Sequence, residues 1–266
     1  MKTISRYLGL YSALWRNSVT REMGFKTNFI LWIVVETLWF ALQICFIAVI
    51  YQHTDRIGDW TKWQVVLLIG TSQFIQQLFQ SIFLSNITQL SELVRTGKLD
   101  FMLLLPVNTR FLVSLRQVDL GGFVNAGSAL VVIGFSLHQL ALVPSPWQVA
   151  GFALLVVAGV LIHYSFMFLL SCVSFWTVKA GGVVWGYYSL FNIARLPDVV
   201  FRGFFKVLFT FAVPMLLVAN VPARLVMGTL SSLWPVVLAV LMAISALAVS
   251  GAVWSVSVRR YASASS

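Results

Sequence analysis

Three histidines, eight acidic residues and two cysteines are all that 266 residues offer for acid–base, nucleophilic or metal chemistry. His53, His138 and His163 stand far apart in the chain, and none has a second His, Cys or acid at metal-ligand spacing. No set of Ser, His and Asp carries a local catalytic signature. Cys45 and Cys172 both sit inside apolar runs and are expected as buried packing residues, with no disulfide framework. A loop that cradles phosphate needs Gly-x-x-x-x-Gly-Lys-Ser/Thr ahead of a helix. The nearest approach, Gly181 to Gly186, continues Tyr187-Tyr188 and lacks the lysine. The chain is therefore not expected to be an enzyme by itself, nor to hold a metal or cofactor of its own.

The other polar residues that stand out are those in apolar surroundings. Glu36 is the one acid near the middle of a long apolar run. A charge at such a position costs roughly 2.5–3.5 kcal/mol on insertion scales, so Glu36 must face protein or water, protonated or paired with a base. Gln73, Gln77 and Gln80 follow i, i+4, i+7 and share one helical face, with Gln76, Thr71, Ser72 and Ser81 nearby. Amides are unfavourable in lipid, so this face meets either another helix or a wet cavity that lines a substrate path. His163, inside a later apolar run, either hydrogen-bonds a neighbouring helix or faces a water path. Arg116 and Asp119 are one turn apart, which predicts an intrahelical ion pair.

The elements that hold these residues follow from composition. The chain is 59% hydrophobic and 10% charged, with a mean hydropathy of +0.90. A soluble domain is roughly 45–50% apolar and about 25% charged, so the excess apolar surface must face lipid. A soluble enzyme, a secreted disulfide scaffold and a disordered chain are excluded. The net charge of +10 would suggest nucleic acid in a soluble protein. Here it fits basic loops held at a membrane surface, and no nucleic-acid partner is expected.

Runs long enough to span a bilayer, about 20 apolar residues, are Phe29–Tyr51, Val65–Leu84, Val118–Leu137, Val149–Phe175 and Pro235–Val258. The stretch Gly181–Leu233 is apolar but interrupted by Arg195, Pro197, Arg202, Lys206, Pro214, Pro222 and Arg224. It has room for one more span and a broken hairpin that enters the membrane and returns. Residues 1–25 lack the apolar block of a signal peptide. Ile4, Leu8, Tyr11, Trp15 and Val19 recur at helical spacing, with Lys2, Arg6, Arg16 and Arg21 mostly off that stripe. This predicts an amphipathic helix lying in the membrane interface. Twelve of the 18 Lys and Arg, Lys179 among them, fall on the N-terminal side of the alternating spans. That places both termini in the cytoplasm and requires an even number of spans. Arg195, Arg202, Lys206 and Arg224 fall locally against that rule.

The longest cytoplasmic loop, residues 86–108, carries the best local signal. Leu90, Leu93, Val94 and Gly97 describe a short helix with an apolar edge, stopped by glycine. Asp100 is expected to cap a second short helix that Pro106 ends. Two amphipathic turns joined at a glycine make a compact knob suited either to a groove on a soluble partner or to lipid headgroups.

At these residues the chain resembles the permease subunits of type-2 ABC exporters. The resemblance rests on Gly97-Lys98-Leu99-Asp100, then Leu103-Leu104-Leu105-Pro106-Val107, on Phe175-Trp176 at the end of the fourth span, and on the later proline-punctuated run with Arg195-Leu196-Pro197, Phe211-Ala212-Val213-Pro214 and Val221-Pro222-Ala223-Arg224. It covers nearly the whole chain. It implies an all-α integral membrane fold of about six transmembrane helices. An interfacial amphipathic helix would come first, a cytoplasmic coupling helix would lie between spans two and three, and a broken re-entrant hairpin near 197–232 would precede the last span. It also implies two soluble ABC ATPase subunits that bind ATP and Mg, a second permease of the same or homologous sequence, and a bacterial plasma (inner) membrane. Leu90, Glu92, Leu93, Arg95, Gly97, Lys98 and Asp100 would form the ATPase-coupling element. Glu36, Gln73, Gln77, Gln80 and His163 are the residues considered for the translocation path. A secondary transporter would instead need ionisable coupling groups at mid-membrane and internal repeats, and a membrane-embedded enzyme would need clustered His, Asp or Ser. The sequence carries neither pattern.

Overall fold

The computed structural model describes residues 2–177 and 181–261. Lys179 and the side chains of Lys2 and Ile4, used above, lie outside the described set. Among the described residues the chain is helical throughout, apart from loops and an isolated bridge between Ile57 and Trp60. The helices are α1 Lys2–Gly24, α2 Lys26–Ile50, α3 Lys62–Phe79, α4 Ser85–Thr88, α5 Leu90–Arg95, α6 Lys98–Leu103, α7 Thr109–Leu115, α8 Leu120–Gln139, α9 Pro146–Cys172, α10 Gly181–Leu190, α11 Gly203–Val207, α12 Met215–Val226 and α13 Trp234–Arg260.

Among the described residues five helical stretches are long and apolar enough to cross a membrane: Lys26–Ile50, Lys62–Arg95, Leu120–Gln139, Pro146–Phe175 and Trp234–Arg260. They cover the five expected spans with shifts of up to three residues at their ends, except that the second continues past Leu84 to Arg95. The bent pair Gly203–Ala212 and Met215–Val226, meeting at 85°, brings the number to six if counted as one span. Pro214 sits at that bend and has no N–H to carry a helical ladder across it. α3 is the hub. Of its most apolar window 78% is buried inside the chain, against 11% for α2 and 17% for α13. α8, α9 and α12 pack around it. Gly159 permits the close crossing of α9: a Cβ there would lie 3.1 Å from Val218 Cγ1 and 3.3 Å from Ile75 Cδ1.

Two expectations are corrected. Cys45 is exposed on the outer side of α2, because α2 has few helical neighbours in this chain, while Cys172 is buried. Arg116 and Asp119 do not pair, because the helix breaks between them: α7 ends at Leu115 and α8 starts at Leu120. The Asp119 carboxylate caps α8, accepting from the Gly121 and Gly122 amides. The Arg116 guanidinium turns instead to Gln89 Oε1 at 2.6 Å.

The stripe expected on α1 is also rotated. Leu8 is 64% exposed and Val19 is exposed, whereas Tyr7, Tyr11, Trp15, Ser18 and Glu22 meet the rest of the chain. Tyr7 and Tyr11 pack on Phe111, and Trp15 on Phe123. Ser18 Oγ accepts from the Val118 amide at 3.1 Å, and the Glu22 carboxylate accepts from the Leu120 amide. Burial raises the Glu22 carboxyl above its ordinary value against the pull of that amide.

Candidate functional site

The loop between the second and third spans folds as two short helices on a glycine hinge. Gly97 adopts φ 70°, a left-handed conformation that costs an L side chain roughly 1–2 kcal/mol. It ends α5 and opens α6, so the cap expected of Asp100 belongs to Gly97, and Asp100 lies in the first turn. Asp100 sits beside the Tyr261 phenol at the far end of α13. Burial, then that carboxylate, push the phenol up to about 12.

The apolar edge of this element faces the body of the protein. Leu90, Leu93, Leu99 and Met102 are buried, as is Gly97. Glu92, Arg95 and Lys98 are exposed, and Arg95 forms a two-pronged ion pair with Glu92. Phe101 is 73% exposed and Leu104 82% exposed. These two, with the half-exposed Leu105, form an apolar tip that sequence reasoning missed. The signal was present: the run Phe-Met-Leu-Leu-Leu is longer than one buried helix edge can absorb.

The element rests on a polar platform. Asn86 donates to Gln117 O at 2.7 Å and accepts from the Gln117 amide at 2.8 Å. Ser171 Oγ donates to Ile87 O at 3.2 Å. From the other side Arg6 donates to Pro106 O at 2.9 Å, and the Asn108 amide donates to the Tyr7 hydroxyl at 3.0 Å. α1 is thereby tied to the end of the loop.

On the polar face of α3 and the turn after it, Gln73, Gln76, Gln77 and Gln80 each make a hydrogen bond to another element, while Gln77 Oε1 and Ser72 Oγ are buried without a partner among the described residues. Gln73 and Gln77 are buried, and each amide meets a different element. Arg195 Nη2 donates to Gln73 Oε1 at 3.0 Å and to Gln76 Oε1. Gln77 Nε2 donates to Glu36 Oε2 at 3.2 Å, joining α3 to α2. The Tyr188 hydroxyl donates to Gln80 Oε1 at 3.0 Å. Glu36 is half-buried and takes an amide rather than a basic residue as its close partner. Next to it Thr37 Oγ1 donates to Asn125 Oδ1 at 3.2 Å. Arg195, noted in the sequence as a charge interrupting an apolar stretch, and Tyr188 complete this layer, and neither was expected as a partner of the glutamines. Their partners are more than a hundred positions away.

His163 is apart from this layer's hydrogen bonds. It is fully buried, and neither ring nitrogen has a hydrogen-bond partner among the described residues. Aromatic rings surround it, with Phe79 at 4.0 Å, Phe191 at 4.5 Å and Tyr187 at 5.4 Å between centroids. The helix-to-helix hydrogen bond expected as one alternative for His163 is absent among the described residues, where aromatic rings surround the imidazole. Among the described residues no three His, Cys, Asp or Glu side chains converge as a metal site.

At the opposite end of the bundle Arg224 joins three segments. It donates to Asp59 Oδ2 at 3.0 Å and to Asp198 Oδ1 at 2.8 Å, and its guanidinium lies 4.7 Å from the buried Trp60 ring centroid. Burial pushes the Asp59 carboxyl up, but the hydrogen bond and charge of Arg224 outweigh it and leave it below the ordinary value.

The described residues form an all-helical membrane bundle with a knob between its second and third spans. The family described as "ABC-2 family transporter protein" matches residues 37–265, and the chain belongs to it. It is a multi-pass membrane protein and a permease subunit of an ABC transporter, a class that works with ABC ATPase subunits and as dimers. No curated protein sequence matches the chain.

Proposed function

We propose that this permease is one half of an ATP-driven exporter in a bacterial inner membrane. Two permeases, identical or homologous, form the path between them, and two ATPase subunits each receive the 86–108 knob of one permease. ATP and Mg are held by the ATPase subunits. Both termini lie in the cytoplasm, residues 1–25 rest in the interface, and residues 197–232 form a re-entrant hairpin on the outer side. Two basic residues that disturb the charge rule on that side, Arg195 and Arg224, have internal partners, which supports this orientation. Glu36 and the Gln73, Gln77 and Gln80 face belong to the wall of the path. His163 packs behind them.

The observation that carries the reading is the shape of the knob. Its inner edge is buried and braced, while Phe101 and Leu104 project from it. An exposed apolar tip flanked by Glu92, Arg95 and Lys98 has the pattern of an anchor for a groove. A rigid hinge at Gly97 then transmits movement of the ATPase to α9 and α13 rather than absorbing it. The test is reconstitution in liposomes with the cognate ATPase. The permease alone hydrolyses no ATP and the pair does. Gly97→Pro or Asp100→Arg leaves insertion intact but lowers transport per ATP hydrolysed. Wild-type coupling in both variants refutes the assignment of this loop.

A further inference from the structure

Beside the amide layer, α2 and the segment after α10 enclose a lateral groove of about 400 Å³. Trp39, Leu42, Phe46 and Ile47 of α2 supply apolar wall, and Gln43 and Arg195 supply polar groups. A cavity of this size and lining is typical of a small-ligand site. Two features say what chemistry it takes. First, Arg195 forms no ion pair among the described residues. Its partners are neutral amides, and its Nε is buried without a hydrogen-bond partner. A guanidinium whose hydrogen bonds all go to neutral amides, with Nε–H left over, has a donor to offer an anion. Second, Gln43 Oε1 is buried and also without a partner there, an acceptor that suits a hydroxyl or N–H donor on the same ligand, while the anion goes to Arg195.

Depth separates two sources of such an anion. Gln73 and Gln76 hold Arg195 about 16–21 Å along α3 from Lys62, near the middle of a hydrocarbon core of about 30 Å. The headgroup of a resident phospholipid belongs at the surface. A head held at mid-depth belongs to a molecule crossing the membrane. The groove continues past Trp39 and Leu42 to Glu36, which lies about two turns from Gln43 on α2.

We infer that this groove binds a transported amphiphile, with an apolar body along Trp39, Leu42 and Phe46 and one anionic group, carboxylate or phosphate ester, on Arg195. The assignment deepens the exporter reading and rests on it.

The test uses the full chain in phosphatidylcholine nanodiscs, with no ATPase and no ATP. Its failure leaves the ATP-coupling result untouched, and a failure of coupling leaves this binding result readable. The probes are a dibrominated stearic acid at alkaline pH and the matching dibrominated stearyl alcohol, both of which quench tryptophan on contact. The acid binds about tenfold or more tightly than the alcohol, and Trp39→Phe removes the saturable quenching. Arg195→Gln abolishes the preference for acid, and Arg195→Lys keeps part of it. Equal binding of acid and alcohol by the wild type overturns the proposal even if Arg195→Gln does not fold. Saturable quenching unchanged in Trp39→Phe overturns the location. In nanodiscs that also contain phosphatidylglycerol, the acid keeps its affinity. Displacement by that lipid makes the groove a resident-lipid site and overturns the transport assignment.

Discussion

The double substitution Phe101→Ser and Leu104→Ser tests whether the knob is an anchor. In the permease these side chains are 73% and 82% exposed, so little of their apolar area is buried by their own chain. Fully burying such a side chain is worth about 1.5–3 kcal/mol. If the ATPase groove covers both, their loss removes at least about 3 kcal/mol of association, which raises Kd about a hundredfold. Folding should barely respond, since surface changes shift stability by about 0.5 kcal/mol or less. Leu90→Ala provides the opposite control. Leu90 is fully buried, so its truncation costs about 2–5 kcal/mol of stability. The assay is titration of ATPase onto permease in nanodiscs beside a melting curve in detergent. An ATPase affinity within about twofold of wild type for the double variant, with the protein folded, refutes the anchor.

Replacing Gln73, Gln77 and Gln80 together with Leu removes the amide partners of Glu36 and Tyr188 and leaves Arg195 with Gln76 alone. Stranded buried polar groups cost about 1–3 kcal/mol each, so a markedly lower melting temperature is expected, and an unchanged one contradicts the hydrogen-bonded layer. Gly58→Ala places a Cβ 2.5 Å from Val199 Cγ2 at a backbone φ of +63°. It should destabilise the outer loop, and Val199→Ala should recover the steric part of the loss but not the backbone part. Full recovery, or none, counts against that division. Asp59 has a depressed folded-state pKa, so its contribution is present above the unfolded value of about 4 and is lost as pH falls through the lower folded value. Melting curves down that acid range should show the loss in wild type and a smaller one in Arg224→Met. Identical acid profiles disprove the link.

What the chain determined by itself was local. Apolar runs, their lengths and the spread of Lys and Arg were enough for the membrane class and the five clear spans. A hydrocarbon solvent forces backbone hydrogen bonds inside each segment, so one stretch can be judged without its neighbours. Gly97 as a helix stop was equally legible, because a left-handed residue is a local backbone event. The requirement that Glu36 and the glutamine face find partners could also be stated in advance, but not which partners. Those were decided by tertiary packing. Arg195 reaches back 122 positions to Gln73, and Arg224 reaches 165 to Asp59. The direction a loop helix faces was settled the same way. Leu90, Leu93, Leu99 and Met102 turn inward onto the bundle while Phe101 and Leu104 stay out, because the second short helix has apolar residues on more than one side and the body of the protein covers only one of them. Periodicity shows that a helix has an apolar edge. Only the packed chain decides which side of the helix has something to bury that edge against.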